Sequence, residues 1–482
     1  VKPIVLCVTA TSSYRLLRIV AAELARLGRP VAYLLGPSPN LDAIRAEASQ
    51  MGIAVYELPA NPVGTARPVL RNHPRPREAR IVGVLANLLQ APRFANRVLA
   101  GITRRIWRSD LYLLRQYRDS LASQLAAAIA LLRTIDPMAV VVSEDGISAP
   151  LPVLTAAREL GKPVVDVPYG YGVQRDLDIS LEAKERQGVL VWPKGLCGLI
   201  IRKLIPHWIK RGHYAGVLMF PPPYIVAAES LGMTLRDAWI VHGGYSDLLC
   251  AESEQMRDLY LSEGIPPKKI VLTGTPYCDT LLNAFTILPA AKAALRQPHK
   301  IVAGRTRILV AWPPSYHDER GAQSEFASYR EMTMTILGWL SSLPNCDVTV
   351  SLHPATLEAD REALLYAGVV LSGAYVIDLI AAHDVFVTYF SSTIRWAIAS
   401  GKPVVNYDAY KLHLDVYDAA PGVMTVHTFA ALQASIRALA DCETAFAKAA
   451  NQQIAVAEYW GRVDGANTAR ILGEIDRLAA GR

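Results

Sequence analysis

Val385-Phe386-Val387-Thr388-Tyr389-Phe390-Ser391-Ser392-Thr393 runs from an apolar, β-branched segment through hydroxyl side chains into the helical pattern Thr393–Ser400. A run of that kind is a strand buried on both faces, and a helix directly after it makes one βα unit of a parallel sheet. The free N–H groups of such a helix point past the strand end, and its dipole favours an anion there. Ser391, Ser392 and Thr393 add hydroxyl donors, which makes them candidate phosphate ligands. One serine could simply cap the helix. Capping accounts for one hydroxyl and not three, and the two roles are compatible.

The same rhythm extends in both directions. Downstream, Pro403–Val405 is strand-like and Phe429–Ala440 helical. Upstream, Ile308–Ala311 and Val348–Leu352 read as strands, with helices over Phe326–Leu340 and Leu357–Ala367. His353-Pro354 closes the strand Val348–Leu352. An imidazole at a strand end can donate to a phosphate oxygen or protonate a leaving group, and the proline disfavours helical geometry at the histidine. If the two strands are adjacent, His353 and Ser391–Thr393 share one crevice. A first alternating series covers Ile4–Val8, Val31–Leu35, Val55–Leu58, Ala139–Ser143 and Pro163–Val167, separated by helical patterns. The expectation is an α/β chain of two Rossmann-like parallel-sheet domains facing a central cleft, with ligands at the carboxyl ends of the strands. Its expected divisions are 1–237, 238–442 and a helical tail, 443–482. A length of 482 residues fits two cores better than one.

Composition narrows the class. The chain is 51% hydrophobic and 19% charged, with a net charge of +7. No window has the roughly 18 uninterrupted apolar residues of a membrane span, and Val1–Val8 reads as a first strand in place of a signal peptide. Six cysteines are scattered without a metal-ligand or disulfide spacing, which suits free thiols in a reducing cytoplasm. A dozen arginines fall between Arg67 and Arg118, a candidate surface for polyanions or anionic lipid heads, or else a solvated helical face. Leu196–Lys210 mixes apolar, basic and tryptophan side chains, so it suits either the membrane interface or packing between lobes. A peripheral membrane contact is compatible with both stretches, and no nucleic-acid partner is expected.

Glu144-Asp145-Gly146 follows the strand Ala139–Ser143, where a carboxylate would face the other lobe and could take a proton from an attacking hydroxyl. The alternative is an acidic cap for the next helix. The first βα turn, Thr9-Ala10-Thr11-Ser12-Ser13, lacks G-x-G-x-x-G, which removes most of the support for a dinucleotide cofactor. Thr11, Ser12 and Ser13 are instead candidate acceptor-side residues. Asp176 and Asp178 have D-x-D spacing in an irregular context, and His317, Asp318 and Glu319 lack a further ligand, so no metal and no cofactor are expected.

Glu144-Asp145-Gly146, His353-Pro354 and Ser391-Ser392 resemble, in that order, the short motifs of bacterial sialyltransferases, which have the GT-B fold. Lys269–Pro276 with Asp279, and Asp464-Gly465-Ala466 with Arg470-Ile471, are similar to segments of the surface-polysaccharide and CDP-glycerol transferases and of UDP-GlcNAc 2-epimerase. The resemblance implies Asp145 as general base with Glu144 as its neighbour. It implies His353 and Pro354, Ser391, Ser392 and Thr393, and Gly274 on the nucleotide phosphate. The function it implies is an inverting, metal-independent glycosyltransferase that moves a CMP-linked ulosonic or nonulosonic acid onto a bacterial surface glycan or lipid-linked acceptor. A UDP-sugar 2-epimerase-like enzyme and a CDP-glycerol-type polymer transferase are the alternatives.

Overall fold

The computed structural model describes residues 2–36, 41–58, 110–170, 172, 174–315, 317–353, 356–365, 368–414 and 416–481. Most of the arginine-rich stretch, together with Pro354, lies outside them.

Among the described residues thirteen strands form two parallel sheets. The first contains β1 (Ile4–Val8), β2 (Val31–Leu35), β3 (Ala54–Glu57), β4 (Ala139–Val142), β5 (Val164–Asp166), β6 (Leu248–Ala251) and β7 (Ile270–Leu272), in the order β3-β2-β1-β4-β5-β6-β7. The second contains β8 (Thr306–Ala311), β9 (Cys346–Ser351), β10 (Val370–Ser372), β11 (Val385–Thr388), β12 (Val404–Tyr407) and β13 (Val423–Val426), in the order β10-β9-β8-β11-β12-β13. Continuous apolar composition explains the central strands. β1, β4, β6, β11 and β12 are buried at every position, as a strand covered by helices on both faces must be.

β6 and β7 correct the expected boundary. They complete the first sheet, with Val165 opposite Leu248 and Leu249 opposite Ile270, so the division near residue 237 moves to the segment between Leu272 and Thr306. Helix Pro276–Ile287 occupies that segment. The tail is not a separate unit either. Its last helix, Asn467–Ala480, returns to the first lobe, where Asp476 pairs with Arg29 and Arg470 donates to the Thr273 carbonyl.

A buried ion pair joins the lobes. Glu252, just after β6, accepts from Arg395 Nε at 2.7 Å and from the Trp396 indole at 3.0 Å, and all three side chains are almost wholly enclosed. Arg395 also donates to the Ser392 carbonyl. One guanidinium therefore ties the first lobe to the hydroxyl-bearing loop after β11.

Among the described residues no helix is long and apolar enough to cross a membrane. Helix Gly195–Leu204 packs Cys197 and Ile201 inward and leaves Leu196, Leu199 and Leu204 exposed. The cysteines are unpaired as expected, with Cys7, Cys197, Cys250 and Cys278 buried.

Candidate active site

In each sheet the strand order reverses once, between β1 and β4 and between β8 and β11, and open α/β sheets bind ligands in the crevice at such a point. The first crevice has Thr11 and Ser12 at the start of helix Thr11–Arg26 on one side and Glu144 on the other. Ser13 does not face it. That hydroxyl is buried, donates to the Ala10 carbonyl and accepts from the Thr9 and Ala10 N–H groups, so it holds the turn together.

Glu144 and Asp145 stand in different surroundings. Asp145 is fully buried, and its carboxylate accepts from Lys269 Nζ at 2.6 Å, Ser246 N at 2.9 Å and Gly244 N at 3.2 Å. Burial alone would raise its pKa, but the Lys269 charge and these hydrogen bonds more than offset that and lower it. Both of its oxygens are thus committed to donors of the protein itself. Gly146 fits the same packing, because a Cβ there would lie 2.1 Å from the Val241 carbonyl oxygen.

Glu144 is only partly buried, and desolvation pushes its pKa up to about 7. The Asp166 and Asp145 charges add to the rise, while His242 and a hydrogen bond from Ser148 oppose it. A carboxyl group near neutrality at the mouth of a crevice is suited to proton transfer. Behind it, His242 Nδ1 lies 2.7 Å from Asp166 Oδ2, and both side chains are buried. Desolvation acts to lower the His242 pKa, but the Asp166 carboxylate outweighs it and raises the value. Asp145, Asp166 and His242 are close enough to hold a metal. The Lys269 ammonium already supplies a cation among them, also donating to the His242 carbonyl at 2.8 Å.

On the second lobe, Phe390 takes the left-handed conformation (φ 57°) with its N–H on Asn406 Oδ1, which turns the chain sharply out of β11. Ser391 Oγ then accepts from Thr393 Oγ1 at 2.8 Å and from Thr393 N at 3.3 Å. Ser391 and Ser392 are partly exposed and Thr393 is buried. The helix that follows, Ile394–Ala399, has six residues. Its dipole is correspondingly short, and the hydroxyls carry more of any anion contact than the dipole does.

His353 does leave β9 at the same edge, but β8 lies between β9 and β11, so the two motifs are not on adjacent strands. They are about 10 Å apart across two strand spacings, a gap that a ligand with several phosphate and sugar oxygens spans and a single phosphate does not. His353 is exposed as a residue, yet crowding around its ring lowers its pKa, and the Arg15 charge lowers it further. Arg15 stands on helix Thr11–Arg26 of the first lobe, with its guanidinium 4.7 Å from the ring centre of Tyr375 in the second. It is a cation of the first lobe that reaches the second, and the sequence shows it only as one polar residue within an amphipathic helix.

Gly274 is not at the phosphate edge. It follows β7 with φ 82°, and a Cβ there would fall 1.7 Å from Asn467 Oδ1. Its lack of a side chain lets the last helix dock. Asp279 belongs to the same joint, accepting from the backbone N–H groups and side chains of both Asn467 and Thr468. The motif-like residues Asp279, Asp464 and Arg470 are therefore structural, with Asp464 and Arg470 forming a two-pronged ion pair.

No known family profile matches the chain, and no curated protein matches it in sequence. Solved structures match it in shape. The calicheamicin glycosyltransferase CalG4 superposes with a TM-score of 0.52 at 12% identity, over 99% of this chain and 98% of that one. A putative UDP-N-acetylglucosamine 2-epimerase from Listeria monocytogenes gives 0.51 at 12%, over 100% and 97%. The wall teichoic acid polymerase TagF gives 0.50 at 11%, over 100% and 90%. At such identities the likeness is one of architecture, and the chain has the GT-B fold: two Rossmann-like parallel-sheet domains on either side of a cleft.

Proposed function

We propose that the chain is a nucleotide-sugar-dependent glycosyltransferase whose acceptor is deprotonated by Glu144. The observation that carries this reading is the pairing, across one cleft, of a carboxyl group tuned to about 7 with an edge that offers Arg15, His353, Ser391 and Ser392 to an anion. The acceptor hydroxyl gives its proton to Glu144 as its oxygen attacks the anomeric carbon. The bond from that carbon to the nucleotide phosphate breaks, and the configuration inverts. The departing phosphate gains negative charge, and Arg15 with the serine hydroxyls stabilises it without having to reorganise. His353, whose pKa is lowered by desolvation and by the Arg15 charge, donates one N–H.

The short motifs favour a CMP-linked acidic sugar as donor, whereas a solved neighbour is named for UDP-N-acetylglucosamine. An epimerase-like activity is the second reading, favoured by that neighbour's architecture. Both are tested together by incubating the enzyme with CMP-, UDP-, GDP- and CDP-linked sugars and following the products by proton NMR. Release of free nucleotide that accelerates with a glycan acceptor supports transfer. Interconversion at C2 of an intact nucleotide sugar supports the epimerase reading and removes the transferase one.

A further inference from the structure

We infer that Asp408, His413 and His427 form a binding site for one divalent late transition-metal ion of the zinc class. The sequence separates them, and strand register unites them. Tyr407 pairs with Val426, so the residues that follow, Asp408 and His427, leave neighbouring strands side by side at the carboxyl edge of the second sheet. The Asp408 N–H closes the ladder on the Val426 carbonyl. The chain from Asp408 then doubles back, with Lys411 and His413 both in the left-handed conformation (φ 54° and 50°), which brings His413 over the carboxylate.

The carboxylate of the set is held in place before any ion arrives. Asp408 is 1% exposed, and its two oxygens accept from the Leu412 N–H at 2.8 Å and the His413 N–H at 2.9 Å. Those backbone donors fix the carboxylate as outer-shell partners fix ligands in metal sites. His427 Nδ1 lies 3.5 Å from Asp408 Oδ2, and the two imidazole rings are 5.6 Å apart at 37°. One ligand atom from each of the three residues lies within 4.8 Å of the others. Tetrahedral zinc holds its ligand atoms roughly 3.3 Å apart. Both histidines are exposed, so side-chain rotation closes the difference without moving the backbone.

Two imidazoles and one carboxylate select zinc, cobalt or nickel over magnesium or calcium, which prefer oxygen donors alone. Three protein ligands leave a fourth position for water or an oxygen anion. The site stands one strand from the Ser391 loop, to which it is linked through Asn406 Oδ1 on the Phe390 N–H. This departs from the expectation that no metal is bound. It does not rest on the transferase reading, and its test uses the metal alone.

The test is a titration of untagged, full-length protein, stripped with a chelator, with Co²⁺ and then with Zn²⁺ in competition with a chromogenic chelator. One equivalent should bind, Co²⁺ should give the visible absorption of a low-coordinate site, and millimolar Mg²⁺ should not displace it. His413→Asn and His427→Asn should each weaken Zn²⁺ binding at least about tenfold, whereas His299→Asn should not. Because both histidines are exposed, these variants keep the fold, which their metal-free melting curves verify. Absence of stoichiometric binding at micromolar Zn²⁺, or unchanged affinity in His413→Asn and His427→Asn, would overturn the site.

Discussion

Glu144 and Asp145 are neighbours in one turn and stand in opposite electrostatic environments. Asp145 has a lysine and two backbone donors, while Glu144, partly buried, has a hydrogen bond from Ser148 and, among the described residues, no cation at contact distance to offset its desolvation. Glu144→Gln should therefore lower turnover by about 10²–10⁴-fold, as loss of a positioned base does. The wild-type rate should climb as pH rises through about 7. The stability effect has a definite sign. A carboxyl whose pKa rises on folding binds more protons in the native state, so its contribution weakens as pH rises from its ordinary 4.5 to about 7. Glu144→Gln should accordingly raise the melting temperature relative to wild type more at pH 8 than at pH 5. Equal shifts at the two pH values would contradict the raised pKa. Asp145→Asn should act on stability instead, since an unpaired Lys269 in the interior costs about 3–5 kcal/mol. Chemical denaturation measures that loss, and an unchanged midpoint with lost turnover would restore Asp145 as the base.

At the scale of elements, the joint between helices Pro276–Ile287 and Asn467–Ala480 is held by one carboxylate. Asp279 supplies the cap that the last helix lacks from its own sequence, and its two oxygens accept from four donors at 2.7–3.1 Å. Asp279→Ala should cost about 0.5–2 kcal/mol, the usual range for a lost cap. Hydrogen exchange should quicken in residues 467–480 while β1 and β4 keep their protection, and uniform acceleration would contradict a local joint. The joint also shows what the sequence could convey. Buried strands announce themselves through unbroken apolar runs, so β1, β4 and β11 were legible, as were the loops at their ends. Periodicity does not tell which sheet a strand joins, and β6 and β7 were assigned to the wrong lobe for that reason. Likewise Asp279, Gly274 and Arg470 have the look of a ligand motif, because close backbone packing and ligand binding both select glycine and polar side chains. Arg15, His242 and Asp166 carried no local signal, since each gains its meaning from a partner at least 76 residues away or in the opposite lobe.

For the whole molecule, the arrangement of the lobes decides whether the separate features make one site. The enclosed Glu252–Arg395 pair and the Arg15–Tyr375 contact both bridge the lobes, and Arg395 also holds the Ser392 carbonyl. Movement of one lobe against the other is therefore felt at the loop proposed to hold phosphate. The central claim is that a nucleotide phosphate is bound there by residues from both lobes. It is tested most directly by calorimetric titration of CMP, CDP, UDP and GDP into wild-type protein, Arg15→Gln and the Ser391→Ala/Ser392→Ala double variant. The account predicts that at least one nucleotide binds the wild type, and that each variant binds it about tenfold or more weakly, in line with loss of a charge-assisted hydrogen bond. Wild-type affinity in both variants, or no binding of any of the four, would contradict it.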